Sequence, residues 1–202
     1  MLSPQLYEEW LTTFGTETID RFGSAESGMG YLCNRPGAVK PGSSGKVTPL
    51  AEIKLVDDEG VEVPPGQPGL LLTRSDAAAL YYVREHEKSK ATFLGDEWIN
   101  TGDIFIQDEA DDFWYIGRAD EMVKVSGVWV SPLEIERCLE KHPAIHECVV
   151  LGLEDRDRLM KTKAFIVLRS GNDSTEKMAD ALKSTLPSMN VSFLDWRTGT
   201  GL

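Results

Sequence analysis

Cysteine and histidine are scarce in this chain, with three of each among 202 residues. Cys33, Cys138 and Cys148 are odd in number and lack CxxC spacing, and His86, His142 and His146 follow none of the usual metal-ligand patterns. A metal site built from His and Cys is thereby excluded, and free thiols point to a reducing compartment. Basic residues are in the minority: 21 Lys and Arg stand against 33 Asp and Glu, a net charge of −12, and no dense basic run occurs. Nucleic-acid affinity rests on cations that displace condensed counterions, so a phosphate backbone is excluded as a partner. Small anions stay open, because they need only a few local donors. Long apolar runs are missing as well. None reaches the ~18 residues of a membrane span, and the start MLSPQLYEEW has no cationic stretch ahead of an apolar one, so a cytoplasmic location is expected. What remains, 41% hydrophobic and 27% charged, is an ordinary globular composition with room for one large domain or two small ones.

Ser3 and Pro4 can cap and start a helix in which Tyr7, Trp10, Leu11 and Phe14 share a face and Gly15 is the stop. A strand over residues 17–22 (ETIDRF) should follow, then the small-residue turn FGSAESG, in which Glu26 is the one strong charge. From Arg35 to Gly69 the text is rich in turns, with an alternating strand AEIKLVD and an apolar strand LLLT, as in antiparallel sheet. The GSSGK run lacks the second Gly and the following helix of a phosphate-binding loop, so hairpin chemistry is the better reading. Residues 84–93 (REHEKSKATF) predict a short polar helix, and WINTGDIFIQDEADDFWYIGR predicts two strands about an acidic turn. Thr101-Gly102-Asp103 sits in the first of these. A carboxylate beside a Gly suits two vicinal ribose hydroxyls, each of which offers a donor.

After Gly117 the period changes. MVKVSGVWV predicts a hairpin, and Ser131, Pro132 and Glu134 form a capping-box start for a helix whose apolar contacts are Leu133, Ile135, Cys138 and Leu139. Strands ECVVLGL and KAFIVLR follow, then a helix from Asp173 or Ser174 with Met178, Ala181, Leu182 and Leu186 as its buried stripe. Taken singly, each polar motif has a plainer reading. FGSAESG is a surface turn, Asp120 and Lys124 are an i, i+4 surface pair, and Arg118 is a solvated strand end. Trp114, Tyr115 and Trp129 read as packing residues.

In order along the chain, FGSAESG, TGD and YIGRADEMVKVSGVWVSPLEIE together resemble the adenylate-forming acyl-CoA synthetases, and NRPGAVKPGSSGKV and KVSGVWVSPLEIE are similar to the benzoate-CoA ligase branch. The resemblance covers nearly the whole chain. It implies an α+β fold: residues 1–119 as the C-terminal part of the large domain, an antiparallel β-barrel-like subdomain, and residues 120–202 as a small mobile α+β lid, truncated at its end. It also implies a reaction in which a small carboxylic acid, aromatic by the branch likeness, attacks the α-phosphate of ATP to form an acyl-adenylate. Coenzyme A then displaces AMP. By the same resemblance Gly23, Ser24, Ala25 and Glu26 would face the nucleotide, with Glu26 on magnesium. Asp103 would hold the ribose hydroxyls, Arg118 would add a charged donor, and Asp120 would be the hinge of the lid. Lys124, Ser126 and Gly127 would lie on the loop beside the pantetheine arm.

Two departures stand out. Ala25 occupies the place of a Thr whose hydroxyl would reach the phosphate. The tail RTGTGL resembles a Thr-Gly loop that the family follows with a catalytic Lys, and Leu202 stands in that place, so no catalytic residue is assigned. The expected function is therefore the C-terminal portion of an acid-CoA ligase, inactive alone. Two alternatives are a non-catalytic nucleotide-binding or interaction module, and an adenylation domain that loads a carrier protein.

Overall fold

The structure, a computed structural model, describes residues 2–125, 128–154, 160–171, 175–184, 186 and 193–197. Two compact units divide it, Met1–Ala119 and Asp120–Leu202.

In the first unit, helix α1 (Pro4–Phe14) begins as its sequence dictates. Ser3 Oγ accepts the Leu6 amide hydrogen at 3.2 Å, and Gly15 closes the helix in the left-handed conformation with its N–H on Leu11 O at 2.9 Å. The expected apolar face is not gathered into the core. Only Tyr7 is buried, while Trp10 and Phe14, one turn apart, stack on each other at 4.3 Å on the exposed side. Strands β1 (Arg21–Ser24), β2 (Met29–Cys33) and β3 (Lys46–Val47) form one antiparallel sheet in that order. The first strand is thus shifted toward the Glu26 turn from its expected place. Strands β4 (Glu52–Val56), β5 (Pro68–Arg74), β6 (Ile99–Gln107) and β7 (Phe113–Arg118) form a second antiparallel sheet, and the short helix α2 (His86–Thr92) lies between β5 and β6 in sequence. Tyr31 and Leu32 from one sheet and Leu55, Leu71, Phe105 and Phe113 from the other share a single core, with the Phe22 ring against Tyr31 at 5.9 Å and Phe105 at 5.1 Å.

The barrel-like expectation is corrected here. Among the described residues the two sheets stay open, because β3 is two residues long and the bridge between the sheets is a single pair, Gly45 with Phe113.

In the second unit, β8 (Val123–Val125) and β9 (Val128–Val130) pair as a hairpin. Helix α3 (Pro132–Leu139) follows with Ser131 as its cap, the side chain accepting from Glu134 N at 3.3 Å. β10 (Ile145–Glu154) runs antiparallel to β11 (Met160–Leu168), and β12 (Phe193–Arg197) lies parallel beside β11. Ile135, Leu139, Ile145, Val150, Ala164, Ile166 and Leu182 build its core. Helix α4 (Glu176–Ser184) turns Ala179 inward and leaves Ala181 exposed. Met178 packs against the core as expected, with Ala179, Leu182 and Leu186 buried, so the stripe keeps Met178, Leu182 and Leu186 and takes Ala179 in place of Ala181. The other face of β10 and β11 exposes Val149, Leu151, Leu153 and Phe165, each 36% to 47% accessible. The architecture is mixed α+β, and no helix among the described residues is long and apolar enough to cross a membrane.

Candidate functional site

The β6–β7 register sets Asp103 opposite Arg118. Asp103 is only 7% exposed, and Arg118 Nη1 stands 3.3 Å from its Oδ1 while donating to Thr101 O at 2.8 Å. Thr101 Oγ1 accepts the Asp103 amide hydrogen at 3.1 Å and donates to Leu71 O at 2.9 Å, so the TGD backbone is pinned to β5. Gly102 lies at φ 72°, and a Cβ there would stand 2.7 Å from Arg118 Nη2. The left-handed backbone favours Gly here, and a side chain would have to displace the end of Arg118. The result is a nearly buried carboxylate with a guanidinium beside it, a pair able to accept from and donate to hydroxyl groups.

Glu26 lies in the tight turn between β1 and β2. Gly23 is needed at its start, where a Cβ would meet Gly30 Cα and Met29 O at 2.5 Å. The Ser24 hydroxyl is turned into the loop and accepts the Ser27 amide hydrogen at 3.2 Å, while the buried Ser27 hydroxyl lies 2.7 Å from Met29 O. Ala25 is exposed and offers only a methyl group. The Glu26 carboxylate accepts from the Tyr82 hydroxyl at 2.5 Å, and that bond is the leading cause holding its pKa below the ordinary glutamate range. Glu26 is therefore an anion at neutral pH.

Tyr31 lies within electrostatic reach of both clusters. Its hydroxyl is wholly buried and is pushed upward in pKa first by burial and then by Asp103, with Thr101 opposing and Glu26 adding to the effect. Sequence reasoning missed Tyr31 and Tyr82. Both partnerships are long-range, 56 residues in the case of Tyr82 and Glu26, and an aromatic in an apolar context reads as packing.

Asp120 is the first residue of the second unit, and Lys124 lies in β8 opposite Trp129. Ser126, Gly127 and Leu202 fall outside the described residues.

Magnesium is the metal to test against this site. Among the described residues no three His, Cys, Asp or Glu side chains converge on a common point. A lone ionised carboxylate suits magnesium, which commonly keeps several waters and binds through one or two carboxylates plus substrate phosphates. Glu26 meets that requirement.

Two family models match: the AMP-binding enzyme over residues 1–83 and the AMP-binding enzyme C-terminal domain over residues 134–193. The chain belongs to the AMP-binding enzyme family. The Glu26 turn lies inside the first matched range, and Asp103 and Arg118 fall between the two. Among curated members of the family, a benzoate–CoA ligase of Thauera aromatica is 40% identical over 87% of this chain and 33% of its own length. Among solved structures, a benzoate CoA ligase from Burkholderia xenovorans superposes with a TM-score of 0.87 at 37% identity, covering 97% of this chain and 40% of that one. An anthranilate CoA ligase in complex with anthranoyl-AMP superposes with a TM-score of 0.86 at 40% identity, covering 97% of this chain and 39% of that one. The chain thus spans about a third of the length of the curated relatives it matches.

Proposed function

We propose that this chain is the ribose-facing and metal-facing portion of an ATP-dependent acid–CoA ligase that activates a small aromatic carboxylic acid. The observation that carries the reading is the buried Asp103 carboxylate, held beside Arg118 next to the left-handed Gly102. In the full reaction the acid displaces pyrophosphate from ATP to give an acyl-adenylate, and the thiol of coenzyme A then displaces AMP. Asp103 accepts hydrogen bonds from the ribose hydroxyls, and Arg118 both steadies Asp103 and supplies a cation on the nucleotide side. Glu26 would hold magnesium, which supplies charge neutralisation on the phosphates when bound. Likeness to benzoate and anthranilate ligases supports an aromatic acid.

Residues 1–119 belong on this reading to the large domain and 120–202 to a mobile lid that pivots at Asp120 and presents Lys124, Ser126 and Gly127 to the pantetheine arm. The 202-residue chain alone is expected to bind nucleotide without completing thioester synthesis. A second reading, a nucleotide-binding module without turnover, is favoured by Ala25, whose exposed methyl replaces a phosphate-facing hydroxyl.

Calorimetry with AMP tests the site. Replacing Asp103 by Ala removes a charged acceptor worth about 1.5–3 kcal/mol, so affinity should fall roughly tenfold to a hundredfold. The parent should also bind AMP more tightly than 2′-deoxy-AMP. Equal affinities of parent and variant for AMP, together with no discrimination against the deoxynucleotide, would remove the assignment.

A further inference from the structure

The loop that bears Glu26 is fastened to residues 75–82 at three points. Ser75 Oγ donates to Ser27 O at 3.1 Å, Ala79 N donates to Glu26 O at 2.8 Å, and the Tyr82 hydroxyl donates to Glu26 Oε1 at 2.5 Å. Gly28 presses so close to Ala77 O that a Cβ would stand 2.2 Å from it. Tyr82 is itself held by the α2 region. Ser89 Oγ accepts the Tyr82 amide hydrogen at 2.9 Å, Phe93 packs against the ring at 5.3 Å, and the Lys88 ammonium lies over it at 4.5 Å. A phenol fixed on its backbone, its edge and its face has little freedom to leave the carboxylate.

We propose that Tyr82 positions Glu26 and sets its metal preference, by occupying Oε1 and leaving Oε2 as the oxygen offered to a cation. The proposal rests on the reading of Glu26 as the magnesium-facing carboxylate. Magnesium demands near-octahedral geometry and takes a carboxylate well through one oxygen, whereas calcium accepts bidentate carboxylates in a looser shell. With Oε1 already accepting from a phenol, two-oxygen coordination is disfavoured and one-oxygen coordination, the magnesium mode, is favoured. Tyr82 touches no reacting atom, so its effect belongs to cation choice and not to the chemical step.

The test is calorimetric binding of ATP to the 202-residue chain with magnesium, with calcium and with neither, in the parent and in Tyr82→Phe and Glu26→Gln. Phe keeps the packing against Phe93 and the ring beneath Lys88 and loses only the hydroxyl. In the parent, magnesium should support ATP binding better than calcium. In Tyr82→Phe that ratio should narrow by about tenfold, the order of one charge-assisted hydrogen bond, while metal-free AMP binding stays at the parent value. Glu26→Gln should lose the metal dependence altogether. An unchanged magnesium-to-calcium ratio in Tyr82→Phe, with Glu26→Gln metal-blind, overturns the role of Tyr82 alone. So does an equal loss of AMP and magnesium-ATP affinity in Tyr82→Phe, which would make the tyrosine a folding residue. A parent without metal dependence, or a Glu26→Gln variant that behaves as the parent, overturns the Glu26 reading and this proposal with it.

Discussion

A methyl group added at Gly102 would stand 2.7 Å from Arg118 Nη2, on a backbone at φ 72°. Left-handed backbone costs a residue with a Cβ about 1–2 kcal/mol, and displacement of the guanidinium adds to that. Gly102→Ala should therefore lower the unfolding free energy by at least about 1 kcal/mol in urea titration and also weaken AMP binding, since Arg118 is the neighbour that must move. Glu26, Asp103 and Arg118 were legible as candidates only through the ordered resemblance of three motifs, since taken singly each has a plainer reading. Tyr82 and Tyr31 were not, because what gives them meaning is a carboxylate brought from a distant part of the chain. The Ser24 hydroxyl accepts the Ser27 amide hydrogen within its own turn, a local bond that leaves its O–H to donate.

At the scale of elements, the acidic connection between β6 and β7 is an anchor as well as a turn. Asp108 Oδ1 accepts from the amides of Ala110 and Asp112, both at 2.9 Å, and Oδ2 accepts from Trp114 Nε1 at 3.0 Å and Lys40 Nζ at 3.3 Å. Burial pushes the Asp108 carboxyl upward, but these bonds, led by the Asp112 amide, outweigh it and hold the pKa at about 2, below the ordinary 3.8. A depressed carboxyl stabilises the fold in full above its unfolded value, and the contribution is lost as pH falls toward the folded one. Unfolding midpoints in urea should thus decline between about pH 4 and pH 2, and Asp108→Asn should be less stable at pH 7 with a flatter profile in that window. The turn itself was legible; Lys40, arriving from 68 residues away, was not. Local signals behaved best. Ser3 and Ser131 cap their helices as their spacing dictates, because a cap needs only the next three amides. Ala181 and the parallel place of β12 depended on packing and pairing across the second unit, which no short window contains.

At the scale of the molecule, each unit has its own core, and Cys148 belongs to that of the second. Burial, followed by the carboxylates of Glu140 and Glu136, pushes its thiol up to about 12. Because the thiolate is the reactive form, Cys148 should resist an aromatic disulfide reagent at pH 8 while the half-buried Cys33 and Cys138 react first. Peptide mass mapping checks the order, and Cys148 should become labelled only in denaturant. On the surface, the apolar stripe of Val149, Leu151, Leu153 and Phe165 coexists with a net charge of −12. Copies of the chain repel one another through charge and attract through that stripe, and the two forces answer differently to electrolyte. Salt at about 0.15 M shortens the reach of charge to about 8 Å and leaves apolar attraction intact. Colloidally, then, this is a protein that salting should bring together, most soluble where its own like charges are least screened.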